Sequence, residues 1–113
     1  MPSERMRRVD EAVREVLSAA VTTDLKDPRI GFVTVTDVKT SPDLRHARVY
    51  VSVLGSADEQ QASLAGLQSA HGFLQAGLAK SLRMKHTPAL TFILDDTAER
   101  AARVERLTSG GEA

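Results

Sequence analysis

The spacing of apolar residues along this chain changes from a helical period to a strand period and back, which strongly limits the possible folds. From Met6 to Val21 apolar residues recur every three or four positions, as in an amphipathic helix. Between Arg45 and Leu54 they alternate instead, with Ala47, Val49 and Val51 on one face. A chain that mixes these two periods predicts an α+β domain.

The remaining elements follow from similar patterns. Ile30–Lys39 predicts a strand, and the turn at 40–44 joins it to the strand at 45–54. The apolar residues of Ile30–Lys39 do not all share one face, because Phe32 and Val38 differ in parity from Val33 and Val35. After a turn at 55–57, a helical pattern runs to about Lys85. It contains glycines at 66, 72 and 77, and we expect at least one to mark a bend or a close backbone contact. Ala89–Leu94 predicts a third strand.

Length and composition set the class of protein. A chain of 113 residues suits one domain, which we place at residues 1–96, followed by a short charged helix and flexible tail at 97–113. It contains no apolar run long enough to cross a bilayer and no signal-like N-terminus, so we expect a cytoplasmic protein. The absence of cysteine excludes disulfides, thiolate metal sites and thiol nucleophiles.

Catalytic and metal-binding patterns are missing. The chain has no glycine-rich phosphate loop and no nucleophile elbow. His46, His71 and His86 lie on separate predicted elements, with no i, i+4 pair to hold a metal. His71 falls on the apolar seam of the long helix, and we expect it to be a seam or hinge residue. Asp95 and Asp96 should end a strand and cap a helix. We therefore expect a monomer that is not an enzyme and binds no metal or cofactor.

Charge is balanced overall, with fifteen basic and fifteen acidic residues, but it is unevenly distributed. Residues 60–94 contain no acidic side chain and carry Lys80, Arg83 and Lys85, with His86 beside them. A local positive face of this kind attracts phosphate, although a solvated helix face is the alternative. The three phenylalanines lie in apolar sequence, which disfavours a sheet that stacks bases and leaves phosphate contacts as the route to RNA.

Six segments, in this order and spacing, resemble the ribosome-binding factor A family and its type II KH-like fold. They are residues 26–29 (KDPR), 33–38 (VTVTDV), 41–44 (SPDL), 47–53 (ARVYVSV), 70–74 (AHGFL) and 87–96 (TPALTFILDD). The resemblance implies the order α-β-β-α-kink-α-β, with a three-stranded sheet covered on one face by helices. It also implies an Ala-x-Gly kink at Ala70, His71 and Gly72, where nucleic-acid-binding KH domains carry GXXG. We expect Gly72 to permit this bend, so that Gly72→Ala would destabilise the domain.

The resemblance implies a non-enzymatic maturation factor for the small ribosomal subunit and its rRNA, important for growth in the cold. Ribosomal proteins or other assembly factors are possible further partners. Together with the charge pattern, it places RNA on Lys80, Arg83, Lys85 and His86, helped by Arg5, Arg8, Arg29 and Arg45. The alternative is a protein-interaction adaptor, acting through the hairpin or the C-terminal tail, that touches RNA only incidentally. An enzyme is the third possibility.

Overall fold

The computed structural model of the chain describes residues 3–95. In chain order the elements are α1 (Glu4–Thr23), β1 (Phe32–Thr40), β2 (His46–Leu54), α2 (Ala57–Ser69), α3 (His71–Leu82) and β3 (Ala89–Leu94). This is the α+β order predicted from the sequence, and the fold class is confirmed. The helix and tail predicted at 97–113 lie outside the described residues.

The sheet has the order β1-β2-β3, with β1 antiparallel and β3 parallel to the central β2. The three helices pack on one of its faces, and α1 and α3 also pack on each other. The core lies between these two layers. Among its buried residues are Val49 and Val51 of β2, Leu74 and Leu78 of α3, and Phe92 of β3.

A β-bulge explains the mixed parity of β1. Val35 pairs with Val51, but the next pair is Asp37 with Tyr50, so the register shifts by one residue. The extra residue turns Val38 to the same face as Val35, and both are buried. The bulge therefore lets Val35 and Val38 face the core together, although one is at an odd and the other at an even position.

Two of the three phenylalanines are exposed, so the expectation that all lie in apolar surroundings is wrong. Phe32 is 81% exposed and pairs across the strands with Leu54, which is 75% exposed. Phe73 is 55% exposed on α3, whereas Phe92 is buried. Phe32 lies before the bulge, on the strand face opposite to Val33 and Val35, so its side chain points away from the helices.

Helix α2 begins at a capping box that the sequence carries at residues 56–59. The Ser56 hydroxyl accepts a hydrogen bond from the Glu59 N–H, and the Glu59 carboxylate accepts one from the Ser56 N–H. The Ser56 backbone N–H, and after it the Ser56 side chain, act on the Glu59 carboxylate and lower the pKa of Glu59 from its usual value. Gly55 precedes the box at φ 138°, a backbone conformation that favours glycine. Residues 55–59 therefore reverse the chain between β2 and α2.

The segment before β1 is held against α2 by a close contact and a buried hydroxyl. A Cβ at Gly66 would lie 2.6 Å from Ile30 Cγ1, so the side chain of Ile30 packs directly on the α2 backbone. Ser63 is buried; its hydroxyl accepts from the Gly31 N–H and donates to the Arg29 carbonyl. Gly66 thus confirms the expectation that one helical glycine marks a close contact.

Helices α2 and α3 are separated by a break at Ala70, which has φ −89° and ψ 8°. Gly72 lies in the first turn of α3, its φ is not positive, and a Cβ there would meet no atom within 4 Å. The expectation that Gly72 supplies special backbone freedom is therefore wrong. His71 is exposed and begins α3 directly after the break, so it is a hinge residue and not an apolar seam residue.

Candidate nucleic-acid interface

Basic residues gather where α3 ends and the chain turns toward β3. Lys80 lies exposed in the last turn of the helix, where a cation interacts favourably with the helix dipole. Arg83 then caps the helix in the left-handed conformation, with φ 52° and ψ 41°. Lys85 and His86 follow, both exposed, before the buried Pro88 returns the chain to the sheet. The turn thus projects a run of cations from one end of the domain.

The β1–β2 turn adds Arg45 to these residues. Because β3 runs parallel to β2, both strands start at the same end of the sheet, and the Ala89 N–H donates to the Arg45 carbonyl at 2.8 Å. The α3–β3 loop therefore lies beside the turn. Between them is a groove of about 570 Å³, which we call the loop groove. Its lining residues are Asp43, Leu44, Arg45, Met84, Lys85, His86 and Thr87.

Arg5 approaches the same turn from its other side. It lines a second, smaller pocket together with Met6, Pro42 and Leu44, so the two pockets share Leu44. Six of the eight predicted RNA-facing residues therefore lie around one end of the domain. We call this set the basic surface: Arg5, Arg45, Lys80, Arg83, Lys85 and His86.

Within residues 3–95, no member of the basic surface forms an ion pair with a carboxylate. One carboxylate, Asp43, does line the loop groove. Its pKa is lowered first by the hydrogen bond from the Ser41 hydroxyl and then by the Arg45 backbone N–H. Asp43 is thus an anion held by the turn, and the surrounding cations remain available to a ligand.

The other two predicted residues are placed differently. Arg8 pairs with Glu4 at 3.6 Å on α1. Arg29 contacts Asp27 through both its Nε and its Nη2 atoms, and its side-chain hydrogen bonds lower the pKa of Asp27. Arg29 also lies before β1, at the end of the sheet opposite the β1–β2 turn, about 30 Å away along a nine-residue strand. The structure does not bring it together with the basic surface.

Sequence reasoning missed the residues that hold the helical break and the groove. The Gln68 amide donates to the Leu90 carbonyl at 3.1 Å and accepts from the Phe92 N–H at 3.4 Å. The Gln75 amide donates to the Pro88 carbonyl at 2.8 Å. These bonds fix the broken helix pair to the exposed edge of β3, a role that no periodicity in the sequence signals.

The walls of the loop groove were missed as well. Leu44 and Met84 are half-buried beside its cations. Leu44 has φ 62°, although glycine or asparagine is favoured at such positions. The available sequence signal is a leucine at the end of a Pro-Asp turn, which by itself indicates only a connection.

Metal-binding and membrane-spanning features are absent from the described part of the chain. Among residues 3–95 no three His, Asp or Glu side chains converge to form a metal site. In the same residues, no helix combines the length and apolar character that crossing a membrane requires.

Comparisons with known proteins agree with this architecture. The family model for ribosome-binding factor A matches residues 5–108. Ribosome-binding factor A of Thermomicrobium roseum is 49% identical over 95% of this chain and 83% of its own length. The Brevibacillus brevis protein of the same name is 43% identical, over 95% of this chain and 88% of its own length.

Solved structures give the same answer for the fold. The crystal structure of ribosome-binding factor A from Thermus thermophilus has a TM-score of 0.71 and 28% identity, covering 79% of this chain and 93% of its own. A homology model of the Thermus thermophilus factor, fitted into the cryo-EM map of a 30S complex, has a TM-score of 0.65 and 29% identity, covering 77% and 91%. This chain belongs to the ribosome-binding factor A family.

Proposed function

We propose that this protein is a non-enzymatic assembly factor that docks on the small ribosomal subunit through its basic surface. The observation that carries the proposal is the gathering of six cationic or ionisable side chains at one end of the domain, none of which forms an ion pair with a carboxylate among residues 3–95. Such a surface attracts RNA phosphates even when the whole chain is neutral.

Two features favour docking on folded rRNA rather than clamping a single strand. The break at Ala70 carries no GXXG loop with which KH domains hold a backbone. The exposed edge of β3 is already bonded by Gln68 at Leu90 and Phe92, so a ligand cannot pair there without displacing that amide. Recognition by shape and by phosphate contacts is the remaining mode.

Family membership supports the small subunit as the partner, since a Thermus thermophilus relative was fitted into the map of a 30S complex. We further propose that the protein acts as a monomer in the cytoplasm, without a cofactor, during late maturation and rRNA processing. Loss of the protein should impair growth most strongly in the cold. Ribosomal proteins or other assembly factors are proposed as additional contacts.

The test is a triple charge reversal on the basic surface, Lys80→Glu, Arg83→Glu and Lys85→Glu. All three side chains are exposed, so the variant should fold with small losses of stability. Its co-sedimentation with small subunits should weaken by roughly 100-fold or more. The slope of log affinity against log salt should also flatten by about 3, roughly one unit for each lost phosphate contact.

A matched control reverses the same amount of charge elsewhere. Arg7, Lys26 and Lys39 are exposed and lie outside the basic surface, so changing all three to glutamate should leave most of the binding intact. In cells lacking the native gene, the control should rescue growth in the cold, whereas the first variant should not. Parent-like binding and salt slope in the first variant would refute the placement of the interface.

A second candidate function is a protein-interaction adaptor. It is favoured by the exposed Phe32 and Leu54, which pair at the far end of the β1–β2 hairpin from the basic surface. An adaptor of this kind would lose its partner when both residues become serine, and its binding would respond little to salt. Subunit binding that survives the triple glutamate variant but not the double serine variant would favour the adaptor.

A further inference from the structure

The loop groove is built from two segments that are tied together. The Ala89 N–H bonds to the Arg45 carbonyl, so the α3–β3 loop cannot move away from the β1–β2 turn without breaking this contact. The Gln75 amide holds the carbonyl of the buried Pro88 at the base of the same loop. A groove with fixed walls is already shaped for a ligand, which lowers the entropy lost on binding. Its volume of about 570 Å³ is in the range of small-molecule sites.

Backbone strain is concentrated at this groove. In the described part of the chain, Leu44 and Arg83 are the non-glycine residues with positive φ, at 62° and 52°. Leu44 lines the groove, and Arg83 directly precedes its other apolar wall, Met84. Left-handed backbone is unfavourable for a branched side chain such as leucine, and residues held this way cluster at functional sites. The strain suggests that the leucine side chain itself is needed there.

The lining combines apolar walls with a charged rim. Leu44 and Met84 supply apolar surface, while Arg45, Lys85 and His86 supply donors for an anion. An RNA nucleotide has two parts that match this lining, a flat base that is readily desolvated and a phosphate that stays charged. We infer that the loop groove receives one unstacked RNA base between Leu44 and Met84, with its flanking phosphates on Arg45 and Lys85.

The single carboxylate of the lining orients this ligand. Asp43 would repel a phosphate placed beside it but can accept hydrogen bonds from an amino group on a base. The amino group of the base therefore lies against Asp43, and the phosphates lie against Arg45 and Lys85. This inference rests on the proposed function, since it names the feature of the rRNA that the basic surface would select: a bulged or looped-out nucleotide rather than a continuous helix.

The test compares two RNA hairpins that are identical except for one bulged adenine in the stem. The parent protein should bind the bulged hairpin roughly tenfold more tightly than the fully paired one. Leu44→Gly removes one wall of the groove at a position whose backbone suits glycine, so it should stay folded. This variant should bind both hairpins equally, at the level of the paired one. Leu54→Ala, which shortens an exposed leucine at the opposite end of the sheet, should keep the tenfold preference.

Each other outcome is decisive. Equal affinity of the parent for both hairpins would overturn the base site, while loss of both complexes in the triple glutamate variant would leave the proposed function standing. A preference that survives in Leu44→Gly would mean that the bulge is recognised elsewhere. If the parent binds neither hairpin, the base site falls, and subunit co-sedimentation decides the proposed function separately.

Discussion

Arg83 links the stability of the fold to its proposed RNA contact. It is exposed and ends α3 in the left-handed conformation, at φ 52° and ψ 41°. Glycine is the residue most often found at such a helix end. Replacing Arg83 with glycine should therefore relieve the backbone while removing a cation from the basic surface. We expect a protein that is more stable and binds RNA less well.

The magnitude follows from two opposing terms. Left-handed backbone costs an L-residue roughly 1–2 kcal/mol, which glycine avoids. Glycine in turn loses about 0.5–1 kcal/mol more conformational entropy on folding. An exposed arginine side chain contributes little packing, so the net gain should be about 0.5–1 kcal/mol. For a domain of this size, that gain raises Tm by roughly 2–8 °C.

Arg83→Ala is the matched variant, because it removes the same cation but keeps the backbone penalty. Denaturant and thermal unfolding should show Arg83→Gly to be more stable than Arg83→Ala, which should unfold close to the parent. Subunit co-sedimentation should weaken equally in both, and the salt slope should fall by about one unit in each. Arg83→Lys should retain both parent properties.

Two results would refute this reasoning, and they refute different parts of it. If glycine and alanine variants unfold at the same temperature, the backbone at residue 83 is not strained. If both bind subunits like the parent with an unchanged salt slope, Arg83 does not contact phosphate, whatever its conformation.

Three further predictions concern the scaffold. Gly66→Ala should destabilise the domain by about 1–2 kcal/mol through overpacking, whereas Gly72→Ala should stabilise it by up to about 1 kcal/mol. Urea unfolding of both variants tests this, and equal or reversed changes in stability would contradict it. Ser63→Ala should cost about 1–3 kcal/mol, since it leaves the Gly31 N–H without its acceptor; an unchanged urea midpoint would contradict this. Because the pKa of Glu59 is lowered in the folded state, its carboxylate contributes to stability above the unfolded-state pKa near 4.5. This stabilisation is lost as pH falls through the folded-state pKa. The parent's advantage over Glu59→Gln should therefore shrink in acid, and an advantage constant down to about pH 3 would argue against it.

Some of the interface could be predicted from charge alone. The acid-free stretch singled out Lys80, Arg83 and Lys85, because a missing charge type is visible without coordinates. Arg8 and Arg29 were indistinguishable from Arg45 in the sequence. Their separation required knowing that Glu4 and Asp27 lie within ion-pair distance, and that Arg45 joins the α3–β3 loop through a parallel strand pair.

The glycines show the same limit within the fold. Sequence spacing could not separate Gly66 from Gly72, since both interrupt a helical pattern at similar cost. The physical difference is a contact between Ile30 and Gly66, which lie far apart in the chain, and local sequence does not encode it. The resemblance to a family correctly indicated a break near residue 70, but it assigned the conformational freedom to the wrong residue.

What the sequence determined by itself were the elements, their order and the face that β2 buries, because these follow from local periods and turn residues. What only the tertiary structure decided were the bulge in β1, the Gln68 bonds to β3 and the loop groove. Each depends on segments far apart in the chain meeting at defined distances. Such tertiary contacts are set by how helices and strands pack together, which is a property of the assembled core and not of any one stretch of residues.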